Sequence, residues 1–102
     1  MKRTLIRYKT KPEMAQENQR LIEGVFEELA AKSPDGVRYL VLRLDDGTFL
    51  HFVAVDAKHG ASPIPAMKSF QLFQSGAKER WIELAQSSAA TVVGNYRMLG
   101  AQ

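Results

Sequence analysis

The stretch YLVLRLDDGTFLHFVAV, Tyr39 to Val55, constrains the fold more than any other part of the chain. Two runs rich in leucine, β-branched and aromatic residues flank Asp46-Gly47, a pair favoured in two-residue hairpin turns because both central positions want positive φ. That turn predicts a register in which Leu44 opposes Phe49, Leu42 opposes His51, Leu40 opposes Val53 and Arg38 opposes Val55. The other face then carries Arg43 opposite Leu50, Val41 opposite Phe52 and Tyr39 opposite Ala54. Antiparallel strands with one wet face alternate apolar and polar residues. Here both faces are mostly apolar, so each needs a cover.

The rest of the chain supplies one cover. Thr4 to Thr10 reads as a strand that stops at Lys11-Pro12, where proline removes a ladder donor. From Glu13 to Lys32, Met14, Leu21, Ile22, Val25, Phe26 and Leu29 recur at helical intervals, and the turn SPDG follows. Gly24 inside that helix points to close packing or to plain tolerance. After the hairpin, Lys58 to Ala66 reads as a loop. Phe70, Phe73, Ala77, Trp81 and Leu84 mark a second helix with a break at Ser75-Gly76, and Thr91 to Leu99 a last strand. The order β-α-β-β-α-β is the ferredoxin-like arrangement, an α+β fold with a four-stranded antiparallel sheet and both helices on one face. A chain of 102 residues suits one such domain, residues 1–102.

The helices leave the other face bare. Burying a large apolar side chain contributes roughly 1.5 to 3 kcal/mol, so a contiguous patch of them marks an interface. A second copy of the sheet across a two-fold axis is the simplest lid, which predicts a homodimer through the sheet faces. The element order, the DG hairpin with its apolar strands and the helix through PAMKSFQLF resemble the dimeric α+β barrel superfamily, the antibiotic-biosynthesis-monooxygenase-like group. The resemblance implies facing sheets and a small pocket in each subunit between the sheet and its helices or loops. It also implies cofactor-independent oxygenase or isomerase chemistry, haem degradation, or no chemistry at all. The oxygenase and haem-degrading branches carry a tryptophan at the end of the third strand and a following histidine in the second helix. This chain has Asp56 at the tryptophan's place and its only tryptophan, Trp81, late in the second helix, so that pair is not carried over.

Composition narrows the classes. With no cysteine, disulfides and thiolate metal sites are excluded. The opening MKRTLIRYKT is basic like an export signal, but Arg7, Lys9 and Lys11 interrupt the apolar run, and the expectation is a cytoplasmic protein with no membrane span. A net charge of +3 concentrated near the start makes no phosphate-tracking stripe. An RNA-recognition domain shares the element order, yet TLIRYKT lacks that module's aromatic pattern, which sets nucleic acid aside as a partner.

The residues that can carry chemistry are few. His51, mid-strand among apolar neighbours, is placed to be a neutral base that takes a proton from a phenol or enol, or else a satisfied core histidine. Arg7, Asn95 and Arg97 sit on the polar sides of the first and last predicted strands. They suit a small anion, an intersubunit salt bridge or a solvated sheet edge. Tyr8, Tyr39 and Tyr96 line a pocket or simply pack the sheet, and His59 lies in the loop as part of a lid or at the surface. His51 and His59 have no carboxylate spaced to complete a metal site, and no cofactor motif is present. The functional expectation is a small, aromatic or anionic ligand held by the dimer, with catalysis or plain binding both open.

Overall fold

The computed structural model describes residues 1–100, the side chain of His59 excepted. Strand β1 (Lys2–Thr10) leads through a 3-10 turn at Pro12–Met14 into helix α1 (Ala15–Lys32). Strands β2 (Val37–Arg43) and β3 (Thr48–Val55) form the hairpin. Two further 3-10 turns (Ala57–His59, Ile64–Ala66) precede α2 (Lys68–Gln74), the single turn α3 (Ala77–Arg80) and β4 (Trp81–Ala89). The sheet order is β2-β3-β1-β4 with every neighbouring pair antiparallel, the ferredoxin-like topology. No described helix is long and apolar enough to cross a membrane.

Helix α1 forms where the periodicity places it. Ala15, Asn18, Leu21, Ile22 and Val25 are its buried stripe, and Ser33, in the left-handed region, closes its end by donating from its N–H to the Leu29 carbonyl. A Cβ on Gly24 would meet nothing within 4 Å, so that glycine is tolerated, not packed. Leu21, Ile22 and Val25 meet Ile64, Met67 and Phe73 over Tyr8 and Phe49 of the sheet, and this is the core. Glu28 of α1 accepts from the N–H and hydroxyl of Ser69, which ties the two helices together at the start of α2.

The hairpin departs from its predicted register by one residue. Val41 opposes His51, Leu40 opposes Phe52, Tyr39 opposes Val53 and Val37 opposes Val55. The cause is the turn. It has three loop residues, because Gly47 alone takes positive φ, at 88°, while its N–H donates to the Leu44 carbonyl at 3.2 Å. The Asp46 carboxylate accepts from the Thr48 N–H at 2.9 Å, holding Asp46 in the turn that the two-residue alternative would have opened differently. A one-residue slip moves every side chain of a strand to the other face. Tyr39 and Val41 therefore face the helices with His51 and Phe49, and Leu40 and Leu42 face away with Leu50 and Phe52.

The chain's last third differs more. Trp81 is not in a helix: Gly76, at φ 77°, restarts the chain for one turn only, and Thr10 pairs with Trp81 to begin β4. The predicted strand Thr91 to Leu99 does not form. Ala90 still donates to the Arg3 carbonyl at 3.0 Å, and beyond it the chain leaves the ladder. The Arg38 guanidinium donates to the Leu99 carbonyl at 3.3 Å, and the Asn95 side chain accepts from the N–H groups of Met98 and Leu99 in a turn of its own.

Away from the helices the sheet presents Leu5, Phe52 and Leu40 as one lateral row and Arg7, Leu50 and Leu42 as the next, with Arg3, Ala54 and Arg38 at one end. Leu40, Leu42 and Phe52 keep 45%, 42% and 38% of their surfaces exposed. The bare apolar face expected from the hairpin is there, though made of a different set of residues.

Candidate functional site

Between the sheet and the helices, where a core is normally apolar, lies a continuous chain of polar side chains. His51 is its centre. The register places it on the helix side of β3, 3% exposed and flanked by Ile6 and Val41 on the neighbouring strands. Its Nε2 lies 2.8 Å from the Tyr8 hydroxyl and its Nδ1 2.6 Å from the Tyr39 hydroxyl. The histidine bridges two phenols, one from each strand neighbour of β3. Tyr39 reaches it only because the hairpin has the register it has.

Tyr8 continues the chain toward α1. Asn18 donates from Nδ2 to the Tyr8 hydroxyl at 2.9 Å, while its Oδ1 accepts from Arg80 Nε at 3.0 Å and from Trp81 Nε1 at 3.3 Å. Arg80 is 4% exposed. Its remaining nitrogens donate to the carbonyls of Ser75, at 3.1 Å, and Phe73, so a buried guanidinium closes the end of α2 and anchors Asn18 with one fork. This also explains why α3 stops where it does. Arg80 turns inward, and its carbonyl accepts from the Lys11 N–H at 2.8 Å as the chain enters β4.

Aromatic rings wall the chain off from water. Trp81 stacks on Tyr8 with centroids 4.1 Å apart, Phe49 lies 5.6 Å from Tyr8 on another side, and Phe73 lies 5.7 Å from His51. Burial pushes the His51 imidazole down from 6.5 to about 4, so it is neutral at pH 7. Burial likewise raises both phenols above their ordinary value. For Tyr8 the Asn18 hydrogen bond and the nearby Arg80 charge offset part of that rise. A neutral imidazole held between two protonated phenols is a path along which a proton can move by short steps.

One end of the path reaches a cleft. Phe26, Leu29 and Ala30 of α1 and Val37 and Tyr39 of β2 wall a depression of about 360 Å³, large enough for a small aromatic ring and mostly apolar. Tyr39, half-buried, belongs to both cleft and chain, and its ring lies 5.0 Å from Phe26. A second depression of about 260 Å³ adjoins it past Pro34, lined by Asp35, Asp56 and Gly60 among others.

Of the residues singled out from sequence, His51, Tyr8 and Tyr39 are brought together. Arg7 is exposed on the opposite face of the sheet, between Leu50 and Gln86. Asn95 and Arg97 lie in the chain after β4, Asn95 capping its own turn and Arg97 at φ 63° with its guanidinium 4.9 Å from the Tyr96 ring centre. They therefore do not flank β1 as strand neighbours of Arg7, because the strand assumed for them is absent. Tyr96 is 79% exposed and far from the role of a buried pocket wall. The side chain of His59 lies outside the described residues. Among the described residues no three His, Asp or Glu side chains gather as a metal cluster would.

Sequence reading missed Asn18 and Arg80 as members of the site. Asn18 leaves a trace: it falls in the buried stripe between Ala15 and Leu21, where a polar residue must find partners. Arg80 leaves none, because AKERWIEL reads equally well as a solvated helix.

No protein-family model matches the chain, and no curated protein matches it in sequence. Solved structures do match it in shape. A candidate antibiotic biosynthesis monooxygenase from Nitrosomonas europaea superposes with a TM-score of 0.74 at 13% identity, over 92% of this chain and all of that one. Another from Caulobacter crescentus gives 0.67 at 13% identity, over 91% and 90%. A protein of unknown function from Nitrosomonas europaea gives 0.68 at 15% identity, over 97% and 96%. At such identities the likeness is one of fold, and one fold serves many activities. The chain has the ferredoxin-like α+β fold of the antibiotic-biosynthesis-monooxygenase-like proteins.

Proposed function

We propose that this chain is one subunit of a homodimer that binds a small aromatic or anionic molecule in the cleft beside Tyr39. On this reading it exchanges a proton with that molecule through Tyr39 and His51, without a cofactor. The observation that carries the reading is the placement of Tyr39, which is at once a wall of the cleft and the hydrogen-bond partner of a buried, neutral histidine. Both a cofactor-independent oxygenation and an isomerisation pass through a phenolate or enolate oxygen, and Tyr39, backed by a neutral His51, is placed to donate to that oxygen. Several proteins of this fold are described as candidate monooxygenases, which agrees with the reading. The dimer rests on Leu40, Leu42, Leu50 and Phe52, an apolar face whose own helices lie on the other side.

The rival reading is a non-catalytic binding dimer. It is favoured by the fact that both ring nitrogens of His51 already have partners, as a purely structural histidine would. A thermal-stabilisation screen against aromatic acids, quinones and haem identifies a ligand, since any molecule that binds only the folded state raises the melting temperature. His51→Ala then separates the readings. Turnover reduced by about a hundredfold or more with ligand affinity kept supports catalysis, whereas affinity lost where no turnover was ever seen leaves a binding protein. Stabilisation by haem alone would overturn the cofactor-free reading.

A further inference from the structure

The hydrogen-bond chain has a direction, and its direction selects the ligand. Asn18 Oδ1 faces Arg80 Nε–H and Trp81 Nε1–H, two groups that can only donate, so the amide oxygen must be the atom on that side. The amide nitrogen is therefore the atom that faces Tyr8, and it donates to the Tyr8 oxygen at 2.9 Å. Tyr8 is 2% exposed, and its own hydroxyl hydrogen has one acceptor in reach, His51 Nε2 at 2.8 Å. Leaving that hydrogen unpaired would strand a buried donor, a heavier penalty than the preference between histidine tautomers. Nε2 is then the acceptor and Nδ1 carries the ring proton, which it donates to the Tyr39 oxygen at 2.6 Å. The hydroxyl hydrogen of Tyr39 is left over, and no described side chain or carbonyl accepts it.

We infer that Arg80 and Asn18 act as positioning residues that lock His51 in the Nδ1–H form, so that Tyr39 offers a hydrogen-bond donor and the cleft selects ligands bearing a carbonyl or oxyanion oxygen. This rests on the proposed cleft for the identity of the ligand, but the direction of the chain follows from the buried donors alone. The donors at its origin are a guanidinium and an indole N–H, neither of which can turn into an acceptor. A ligand that had to give a hydrogen to Tyr39 would need the entire chain reversed, with Tyr8 left without an acceptor.

The direction is read without any ligand. In the 15N spectrum of uniformly labelled protein at pH 7, the expected His51 pattern is a protonated Nδ1 and an unprotonated Nε2. Asn18→Asp keeps the shape of the side chain and gives Tyr8 a carboxylate to donate to, so the expected pattern reverses to protonated Nε2. Tyr39→Phe leaves the origin of the chain intact and is expected to keep Nδ1–H, a result obtainable even should Asn18→Asp fail to fold. Protonated Nε2 in the unaltered protein overturns the inference, as does a Tyr39→Phe protein that switches tautomer, which would place control at the cleft end. The ligand half is tested with 4-nitrophenol titrated across its own ionisation. A charge-assisted hydrogen bond should make the phenolate bind about tenfold more tightly than the phenol. Equal or reversed affinity overturns the selection of acceptors while the tautomer still stands. No binding of either form overturns the cleft as a ligand site.

Discussion

A histidine that must stay neutral inside the protein makes stability depend on pH in a window where little else titrates. The folded chain holds His51 at about 4, against 6.5 for a free imidazole. Between those values the unfolded chain takes up a proton that the folded chain refuses, so acid favours unfolding. The contribution is complete above pH 6.5 and is lost as pH falls toward 4. The gap of about two and a half pH units corresponds to about 3 kcal/mol in all, of which about 2 kcal/mol is lost between pH 7 and pH 5. Carboxylates held low, such as Glu17 and Asp46, act mainly below pH 5 because their unperturbed values are 4.5 and 3.8. Urea unfolding at fixed protein concentration should therefore show a midpoint lower by about 1 M at pH 5 than at pH 7. His59→Gln in every sample leaves His51 as the single imidazole, and adding His51→Gln should flatten the dependence. Equal midpoints at pH 7 and pH 5, or the same slope without His51, would refute the account of a desolvated imidazole.

Two other perturbations probe the fold and the assembly. Leu40, Leu42 and Phe52 each have roughly two fifths of their surface still to bury, worth about 1 kcal/mol apiece to each partner of a dimer. Leu40→Arg should weaken self-association by about a hundredfold in sedimentation equilibrium while leaving monomer unfolding nearly unchanged, and a wild-type monomer at tens of micromolar would sink the dimer. Gly47→Ala and Gly24→Ala should have opposite signs. The first puts a Cβ 3.3 Å from the Thr10 carbonyl at φ 88° and should cost about 1 to 2 kcal/mol, whereas the second adds a methyl in open space within a helix and should gain up to about 1 kcal/mol. Denaturant curves that move both the same way would contradict this reading of the two glycines.

Helix α1, both hairpin strands and the ferredoxin-like element order are legible because each rests on a period: apolar residues every three or four positions, or strands on either side of a turn. What a period does not carry is register. Asp46-Gly47 marks the turn correctly, yet whether two or three residues form the loop depends on the Asp46 carboxylate and on a single positive φ at Gly47. That one-residue difference decides whether Tyr39 meets His51 or points away from it. The helical reading of AKERWIEL failed for a related reason. A guanidinium folded inward to close α2 and hold Asn18 is a tertiary fact, and an arginine in a charged run gives no local sign of it.

The misplaced last strand carries a different lesson. Thr91 to Leu99 has the composition of a strand but finds no ladder within its own subunit, and Val93, Tyr96 and Met98 stand almost wholly in solvent. Its apolar residues and the uncovered leucines of the sheet are the same kind of surplus, large side chains that no part of the described subunit shelters. If the homodimer forms, both surpluses have one explanation: the sequence is written for two chains, and reading it against one leaves apolar residues without a place. The polar chain from Arg80 to Tyr39 behaves in the opposite way. Every polar side-chain atom in it has a hydrogen-bond partner within the one chain. On the proposed dimer the chain completes its polar network alone and its surface only with a partner, so Leu40→Arg should separate assembly from the His51 tautomer, dispersing the first and leaving the second as it was.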